Sequence, residues 1–375
     1  MAAGRLTGRG RPGRRGSEVS AAGAGRAQSA DQHASVAVLP LDEAARRGAQ
    51  ARQAQLVKPP GSLGRLEELA VWMAAVSGEP IPEVRARVVV AAADHGVADE
   101  GVSAYPQSVT GQMLATFLSG RGAVSTLAQA TGADLLCVDA GVMSDTSGLD
   151  VVRAGIGPSR NLAVEPALST ADVAAAVDCG RAVAAQAKAD GMTVLVGGEM
   201  GIANTTPATC LAAWLTGLPV AGLVGPGTGV DEAGLVRKRD VVERALALHG
   251  PQIDGPLGAL RRLGGGEIAV LCGLALGAGE QGLGYVCDGL IATAGASIAA
   301  RIAPELRPRL LAGHRSTEPA HSAMLTDLGL EPVLDLGMRL GEGSGATAAL
   351  AVLRLACAAH SGMATFEEAG VSGRS

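Results

Sequence analysis

The stretch Thr193-Val194-Leu195-Val196-Gly197-Gly198-Glu199-Met200-Gly201-Ile202-Ala203-Asn204-Thr205-Thr206 decides the fold. Its first four residues are β-branched or aliphatic and uncharged, as a strand buried on both faces requires. Glycines follow, then Asn and Thr, which open helices by offering a side-chain oxygen to the first free backbone N–H groups. Working outward, the same pattern recurs. Residues 87–92 form a strand-like run ending at Asp94-His95-Gly96, residues 135–139 another ending at Ala140-Gly141, and residues 286–292 read as a fourth strand. Helical patterns lie between them. Ser169-x-x-Asp172 opens an Ala-rich run to Ala189 in the manner of a capping box, with Gly191 as the stop. Residues 231–249 have helical spacing and end at Gly250-Pro251, and residues 344–360 form an Ala/Leu-rich helix after a glycine cluster. Strands alternating with helices predict an α/β fold on a mostly parallel sheet. Ligands of such folds bind at the carboxyl ends of the strands, which is where the polar clusters fall.

Composition narrows the function. Hydrophobic residues make up 47% of the 375, enough for a large core, but aromatics are only 2% and glycines number 54. The core must therefore come from Ala, Val, Leu and Ile, packed closely. So few aromatics leave no stacking platform for single-stranded nucleic acid. The first thirty residues hold six Arg and one Glu, a charge of +5, so the rest of the chain carries −10 of the net −5. An acidic body is a poor nucleic-acid binder. No apolar run is long enough for a signal peptide or a membrane span, and residues 1–36 read as a disordered basic tail. The six cysteines, at 137, 179, 210, 272, 287 and 357, form no C-x-x-C pair and sit in apolar runs. They read as small buried hydrophobes of a cytoplasmic protein.

Three glycine clusters carry the chemistry. In residues 197–206 the glycines admit close approach of a ligand, and a helix start attracts phosphate. A strand–turn–helix with a Thr cap would look the same, except that a carboxylate in an apolar turn is unfavourable unless Glu199 has work to do. Gly225-Pro226-Gly227-Thr228-Gly229 precedes a helix with Arg237, Lys238 and Arg239; it suits a second anion nest with a basic clamp, or a plain loop beside a solvated basic face. It is no Walker motif. In Leu336-Gly337-Met338-Arg339-Leu340-Gly341-Glu342-Gly343-Ser344-Gly345, Glu342 is either a carboxylate favoured by a helix start or a general base on a loop that a substrate can approach closely. His95, His314 and His321 lack ligand spacing such as H-E-x-x-H, so no metal is expected and hydrogen-bonded roles are. No pair of adjacent acidic residues follows an apolar strand, the usual magnesium platform of pyrophosphate-ribose-dependent transferases.

These clusters occur in an order. Lys58-Pro59-Pro60-Gly61-Ser62-Leu63-Gly64-Arg65 comes first, then Asp94-His95-Gly96, then Gly101-Val102-Ser103-Ala104-Tyr105-Pro106-Gln107-Ser108-Val109-Thr110-Gly111-Gln112-Met113. Residues 198–206, 225–229, 313–318 and 337–345 complete the series. The set closely resembles the nicotinate-nucleotide:dimethylbenzimidazole phosphoribosyltransferase family, over residues 37–362. The resemblance implies a doubly wound sheet, a smaller helical part drawn from both chain ends, one catalytic domain over residues 37–375, a homodimer and no cofactor. By motif position it makes Glu342 the catalytic base. It places Glu199, Gly201, Asn204, Thr205, Thr206, Gly227, Thr228, Gly229, Lys238 and Gly341 around the nucleotide. Tyr105, Gln112, Met113 and Leu340 become walls of the base pocket. Two departures stand out: Ala203 occupies a position that is usually glycine, and Pro226 is uncommon.

The implied reaction moves the phosphoribosyl group of nicotinate mononucleotide to 5,6-dimethylbenzimidazole. Three rivals share parts of the pattern. A non-catalytic nucleotide sensor would not need both Glu199 and Glu342. A dinucleotide-dependent oxidoreductase would carry G-x-G-x-x-G after the first strand, where Asp94-His95-Gly96 stands instead. A transferase acting on another base, such as adenine or a phenol, differs only in pocket shape.

Overall fold

The computed structural model describes residues 36–227 and 229–372, so the expected tail lies outside the described residues but for Val36, and Thr228 lies outside as well. In chain order the elements are α1 (Glu43–Gln55), α2 (Arg65–Ser77), β1 (Ala86–Ala92), α3 (Ser108–Leu118), α4 (Ala123–Thr131), β2 (Asp134–Asp139), β3 (Val152–Arg153), α5 (Thr170–Ala189), β4 (Val194–Met200) and α6 (Thr205–Thr216). They continue with α7 (Glu232–His249), α8 (Pro256–Leu263), α9 (Gly266–Glu280), β5 (Gly284–Cys287), α10 (Leu290–Ile302), β6 (Leu310–His314), α11 (Pro319–Leu328), β7 (Pro332–Leu334) and α12 (Ser344–Gly362).

The strands form a seven-stranded sheet in the order β3-β2-β1-β4-β5-β6-β7, every pair parallel. The chain winds outward one way from β1 to β3, then returns to place β4 on the other side of β1. This is the doubly wound arrangement expected, and its crevice opens between β1 and β4 at their carboxyl ends. Alternate residues of β1 divide between the two faces. Val89 and Ala91 join the core under α5, α6, α8, α9 and α10, while Val88, Val90 and Ala92 join the core under α2, α3, α4 and α12. Both chain ends contribute to the second layer. α1 packs on α2 and α2 on α12, the smaller helical part that the resemblance implies.

The capping box forms as read: Ser169 Oγ accepts from Asp172 N at 3.0 Å and Asp172 Oδ2 from Ser169 N at 2.8 Å, and Gly191 has φ +80°. Two readings need correction. The fourth strand stops at Cys287 rather than running to Ala292. Gly289 caps α10 from Leu290 on, and an apolar run buried all round gives no periodicity by which to tell helix from strand. The third strand, read as ending at Val196, continues through Gly197, Gly198 and Glu199, which pair with Val89, Val90 and Ala91. Those two glycines serve close packing within a strand. A Cβ on Gly197 would collide with the Tyr285 hydroxyl, and one on Gly198 would lie 2.5 Å from the Glu342 carbonyl oxygen.

None of the six cysteines is paired. Burial pushes the Cys137, Cys210, Cys272, Cys287 and Cys357 thiols up to about 12, as suits apolar fillers. No helix among the described residues is long and apolar enough to cross a membrane.

Candidate active site

A cavity of about 650 Å³ opens at the carboxyl ends of β4, β5 and β6. Glu199, at the end of β4, forms its floor and is 6% exposed. Its Oε2 accepts a hydrogen bond from Asn204 Nδ2, and its backbone oxygen accepts from Glu342 N at 3.2 Å. Asn204 therefore does not cap α6 with its side chain, as the motif suggested; it holds the carboxyl group. Burial pushes the Glu199 carboxyl up to about 8 against that hydrogen bond, with the carboxyls of Glu267, Asp288 and Glu342 adding to the rise. The proton thus stays on Glu199 at neutral pH in the free protein.

Glu342 lies beside Glu199 on a loop bent by three successive left-handed residues, Gly341 (φ +83°), Glu342 (φ +63°) and Gly343 (φ +87°). The glycines tolerate this; a glutamate does so at a cost of about 1–2 kcal/mol. Strained residues of this kind cluster where function fixes them. Gly341 also packs on Glu199 so tightly that a Cβ would collide with Oε1. Glu342 Oε2 accepts from Val124 N at 3.3 Å, at the start of α4, whose N-cap Gly122 offers no side chain of its own. Burial raises the Glu342 carboxyl above its ordinary range, opposed by the N–H groups of Val124 and Ala123.

A third wall comes from the loop before α7. Lys238 is fully buried, its Nζ donating to Thr205 Oγ1 at 2.8 Å and to the Gly225 carbonyl at 3.0 Å. Burial pushes the ammonium down to about 8, with Glu318 pulling the other way. Glu318 Oε1 accepts from Gly227 N at 2.9 Å, so it shapes the same glycine loop. On the apolar side Tyr105, Val109, Met113 and Leu340 line the cavity.

The sequence matches a phosphoribosyltransferase family model over residues 38–371. The nicotinate-nucleotide–dimethylbenzimidazole phosphoribosyltransferase of Ectopseudomonas mendocina is 50% identical over 339 residues, covering 89% of this chain and 96% of that protein. Its counterpart in Chromobacterium violaceum is 50% identical over 338 residues, 90% and 98% of the two chains. The crystal structure of such an enzyme from Thermus thermophilus superposes with a TM-score of 0.84 at 45% identity, covering 89% of this chain and all of that one. The chain belongs to the nicotinate-nucleotide–dimethylbenzimidazole phosphoribosyltransferase family.

Of the positions that family motifs single out, Glu199, Gly201, Asn204, Thr205, Gly227, Gly341 and Glu342 meet around the cavity with Tyr105, Met113 and Leu340. Lys238 stands behind Thr205. Others do not reach the wall. Gln112 is exposed on α3, one residue from Met113 and so on another face of the helix. Thr206 is fully buried in the first turn of α6, and Gly229 is exposed beyond the turn. Thr228 lies outside the described residues. The family position held here by Ala203 does adopt the left-handed conformation, with φ +74°.

Spacing alone passed over several residues. Asp288, just after β5, is a buried carboxyl outside every motif of the series, and Glu318, the buried N-cap of α11, falls within residues 313–318 but was given no role. Thr110 Oγ1 accepts from Ile202 N at 3.2 Å and holds the 197–206 turn from α3. The histidines mostly take structural roles. His95 is held between Glu267 Oε1 at 3.0 Å and Ser159 Oγ at 3.1 Å, and His321 accepts from Ser316 N at 3.0 Å. Burial pushes His321 down to about 3, so it stays neutral. Among the described residues no His, Cys, Asp and Glu gather in threes that could hold a metal.

Proposed function

We propose that the chain transfers the phosphoribosyl group of nicotinate mononucleotide to 5,6-dimethylbenzimidazole, releasing nicotinate and forming α-ribazole 5'-phosphate for the lower ligand of cobalamin. The observation that carries this reading is the pair of buried carboxyls, Glu199 and Glu342, on backbone segments joined by a hydrogen bond, lining one cavity and set in different surroundings. Two carboxyls in different surroundings take different parts, one free to accept a proton and one held neutral. The relatives' names support the substrates.

The glycosidic bond to the pyridinium breaks and its electrons leave with a neutral pyridine ring, so the leaving group needs no acid. One benzimidazole nitrogen attacks C1' from the opposite face, which turns a β-nucleotide into an α-ribotide. The proton on the other nitrogen must go to a base. Glu342 is that base: its carboxyl is raised toward the operating pH, and the N–H groups at the start of α4 fix its orientation. Glu199, still protonated, presents a neutral polar group to the ribose, positioned by Asn204. Thr205 and Gly227, backed by the Lys238 ammonium, hold an oxyanion of the nucleotide, and Gly201 lets the strand approach it. Tyr105, Met113 and Leu340 sandwich the flat acceptor. Gln112, Thr206 and Gly229 remain with the surrounding frame rather than at contact distance in this reading. A homodimer is part of it too, supported by the exposed Leu336 and Leu340, 66% and 59% accessible. So are a cytoplasmic location and one catalytic domain after the N-terminal tail.

The test is to incubate purified protein with nicotinate mononucleotide and 5,6-dimethylbenzimidazole and to quantify nicotinate and α-ribazole phosphate. Equal yields are expected. Glu342→Gln should lower turnover about 10²- to 10⁴-fold with an unchanged melting profile. Turnover near that of the unaltered protein would remove Glu342 from the role, and no product with any base would sink the transferase reading.

A further inference from the structure

Two buried titratable side chains take no part in the reading above. His95, in the Asp94-His95-Gly96 motif after β1, is fully buried beside Glu267, also fully buried, the second residue of α9. Neither is among the residues that line the cavity. Ser159 Oγ lies 3.1 Å from His95 Nδ1 and 3.4 Å from the Asp94 carbonyl oxygen, so its O–H donates to the nearer ring nitrogen. The ring proton is then on Nε2, which donates to Glu267 Oε1 at 3.0 Å. Glu267 Oε2 has no partner among the described residues. A carboxylate in the first turn of a helix is favoured by the free N–H groups there, and α9 opens on Gly265, which brings no side-chain cap of its own. The pair thus keeps a negative charge in the core, balanced only by one imidazole N–H and a helix start.

Glycines press this pair against the turn that carries Asn204. A Cβ on Gly265 would collide with His95 Cε1 and come within 2.8 Å of Glu267 Oε2. On the other side, a Cβ on Gly201 would lie 3.2 Å from His95 Nε2 and 3.1 Å from Asn204 Nδ2. The imidazole therefore lies against the turn, next to the amide that holds the Glu199 carboxyl. Of the charges around Glu199, Glu267 does most to raise that carboxyl. The other carboxyls are better compensated. Glu342 accepts from the N–H groups of Val124 and Ala123, Asp288 from those of Ala346, Gly289 and Gly345, and Asp94 from Met143 N at 2.9 Å. Lys238, Arg339 and His314, the basic groups around the cavity, are turned to Thr205, Gly227 and Asp288 instead.

We propose that Glu267 is a positioning residue of the transfer reaction: fixed by His95 behind the Gly201–Asn204 turn, its buried negative charge keeps the proton on Glu199. The proposal rests on the part given to Glu199 above. With Glu199 neutral, the acceptor's proton has one carboxylate to go to, Glu342, and the anionic donor meets one negative charge fewer.

Three variants of the full chain test this. Glu267→Gln removes the charge and keeps an oxygen for His95 Nε2–H. Glu267→Met is a second neutral variant should the amide melt early, and Glu267→Asp keeps the charge. In each background, stability is measured by chemical denaturation with and without Glu199→Gln across the neutral range. In the otherwise unaltered protein the advantage of Glu199→Gln grows with pH and levels off at about 8. In the neutral Glu267 variants it should level off about one pH unit lower, the order of effect of a nearby like charge at reduced dielectric. In Glu267→Asp it should stay within about 0.3 units of the unaltered protein. The alkaline limb of the turnover profile should move down with the stability curve in the neutral variants and stay in place in Glu267→Asp. A level-off that stays put in the neutral variants would overturn the proposal. So would an equal shift in Glu267→Asp, the mark of a steric role, or a turnover limb that does not follow. The stability curves need no turnover, so a failure of the transferase reading shows separately, as absent product at every pH in the unaltered protein.

Discussion

Among the described residues, Glu342 and Ala203 adopt a left-handed backbone without being glycine; Glu342 lines the cavity and Ala203 lies in the turn between Gly201 and Asn204, which do. At Glu342 the strain is tied to chemistry, since the carboxyl has to reach the start of α4 from a loop pressed on Glu199. At Ala203 nothing in the structure requires a methyl group. Ala203→Gly should therefore raise stability by about 0.5–1 kcal/mol, the relief of left-handed strain less the added freedom of the unfolded chain. A denaturant midpoint that falls instead would mean that the buried methyl contributes more by packing than it costs in strain. Glu199 allows a sharper test of electrostatics. Its carboxyl titrates at about 8 folded and near 4.5 unfolded. Below both values the two states hold the same proton. Between them the unfolded chain releases its proton while the folded protein keeps it, so stability declines as pH rises and levels off above about 8. Glu199→Gln cannot ionise, and so should gain on the unaltered protein steadily from pH 4.5 to 8, by a few kcal/mol at most. Parallel stability curves for the two proteins across that window would show that Glu199 is not held neutral.

At the scale of elements, what the sequence made legible and what it hid follow from one distinction. Local signals survive folding. The Ser169–Asp172 box, the helix over 231–249 and the strand cores at 87–92 and 135–139 all depend on near neighbours, and all form where read. Signals that depend on a distant partner were misassigned or missed. Gly197 and Gly198 looked like a turn because the reason for their lacking a side chain lies at Tyr285 and Glu342. Asp288 gave no pattern, because only the pairing of β5 with β6 makes it a neighbour of His314. The ordered set of motifs recovered much of the cavity lining, but it could not show that Gln112 turns outward while Met113 turns in. The crossing of α5 and α9 is the plainest case. Gly180 sits against Val270 and Leu274 N, and Gly273 against Val177, so each helix offers a glycine where the other's backbone passes. A Cβ on Gly273 would lie 2.7 Å from the Val177 carbonyl carbon, with no flexible side chain to yield. Gly273→Ala should cost about 1–3 kcal/mol in chemical denaturation, as overpacking a rigid contact does. A loss under about 0.5 kcal/mol would show that the two helices can part without penalty.

Across the whole molecule, the chain's first and last elements meet, and their junction leads to the site. Arg52 of α1 donates to the carbonyls of His360, Ser361 and Met363 at 2.8, 3.0 and 3.1 Å, which satisfies the end of α12. Val57 N donates to Ala364 O and Phe366 N to Gln55 O, fixing the segment that follows. The other end of α12 begins two residues after Glu342, so α1 braces the helix on which the proposed base is mounted. Just before α1, Leu39 and Pro40 supply the carbonyls that accept from the buried Arg309 guanidinium, and Leu39 N donates to Gly279 O at 3.0 Å. The structural requirement therefore starts at about residue 38, where the family match also starts. A protein beginning at Val36 should keep its melting temperature and its rate of α-ribazole phosphate formation. One beginning at Lys58 should do neither, because it leaves a buried guanidinium without acceptors and frees the end of α12, and breaking a buried charge in this way costs about 3–5 kcal/mol. If the shorter protein retained full turnover, α12 would hold Glu342 in place unaided. If the longer one lost turnover, residues 1–35 would have a part in the reaction that the fold of residues 36–372 does not explain.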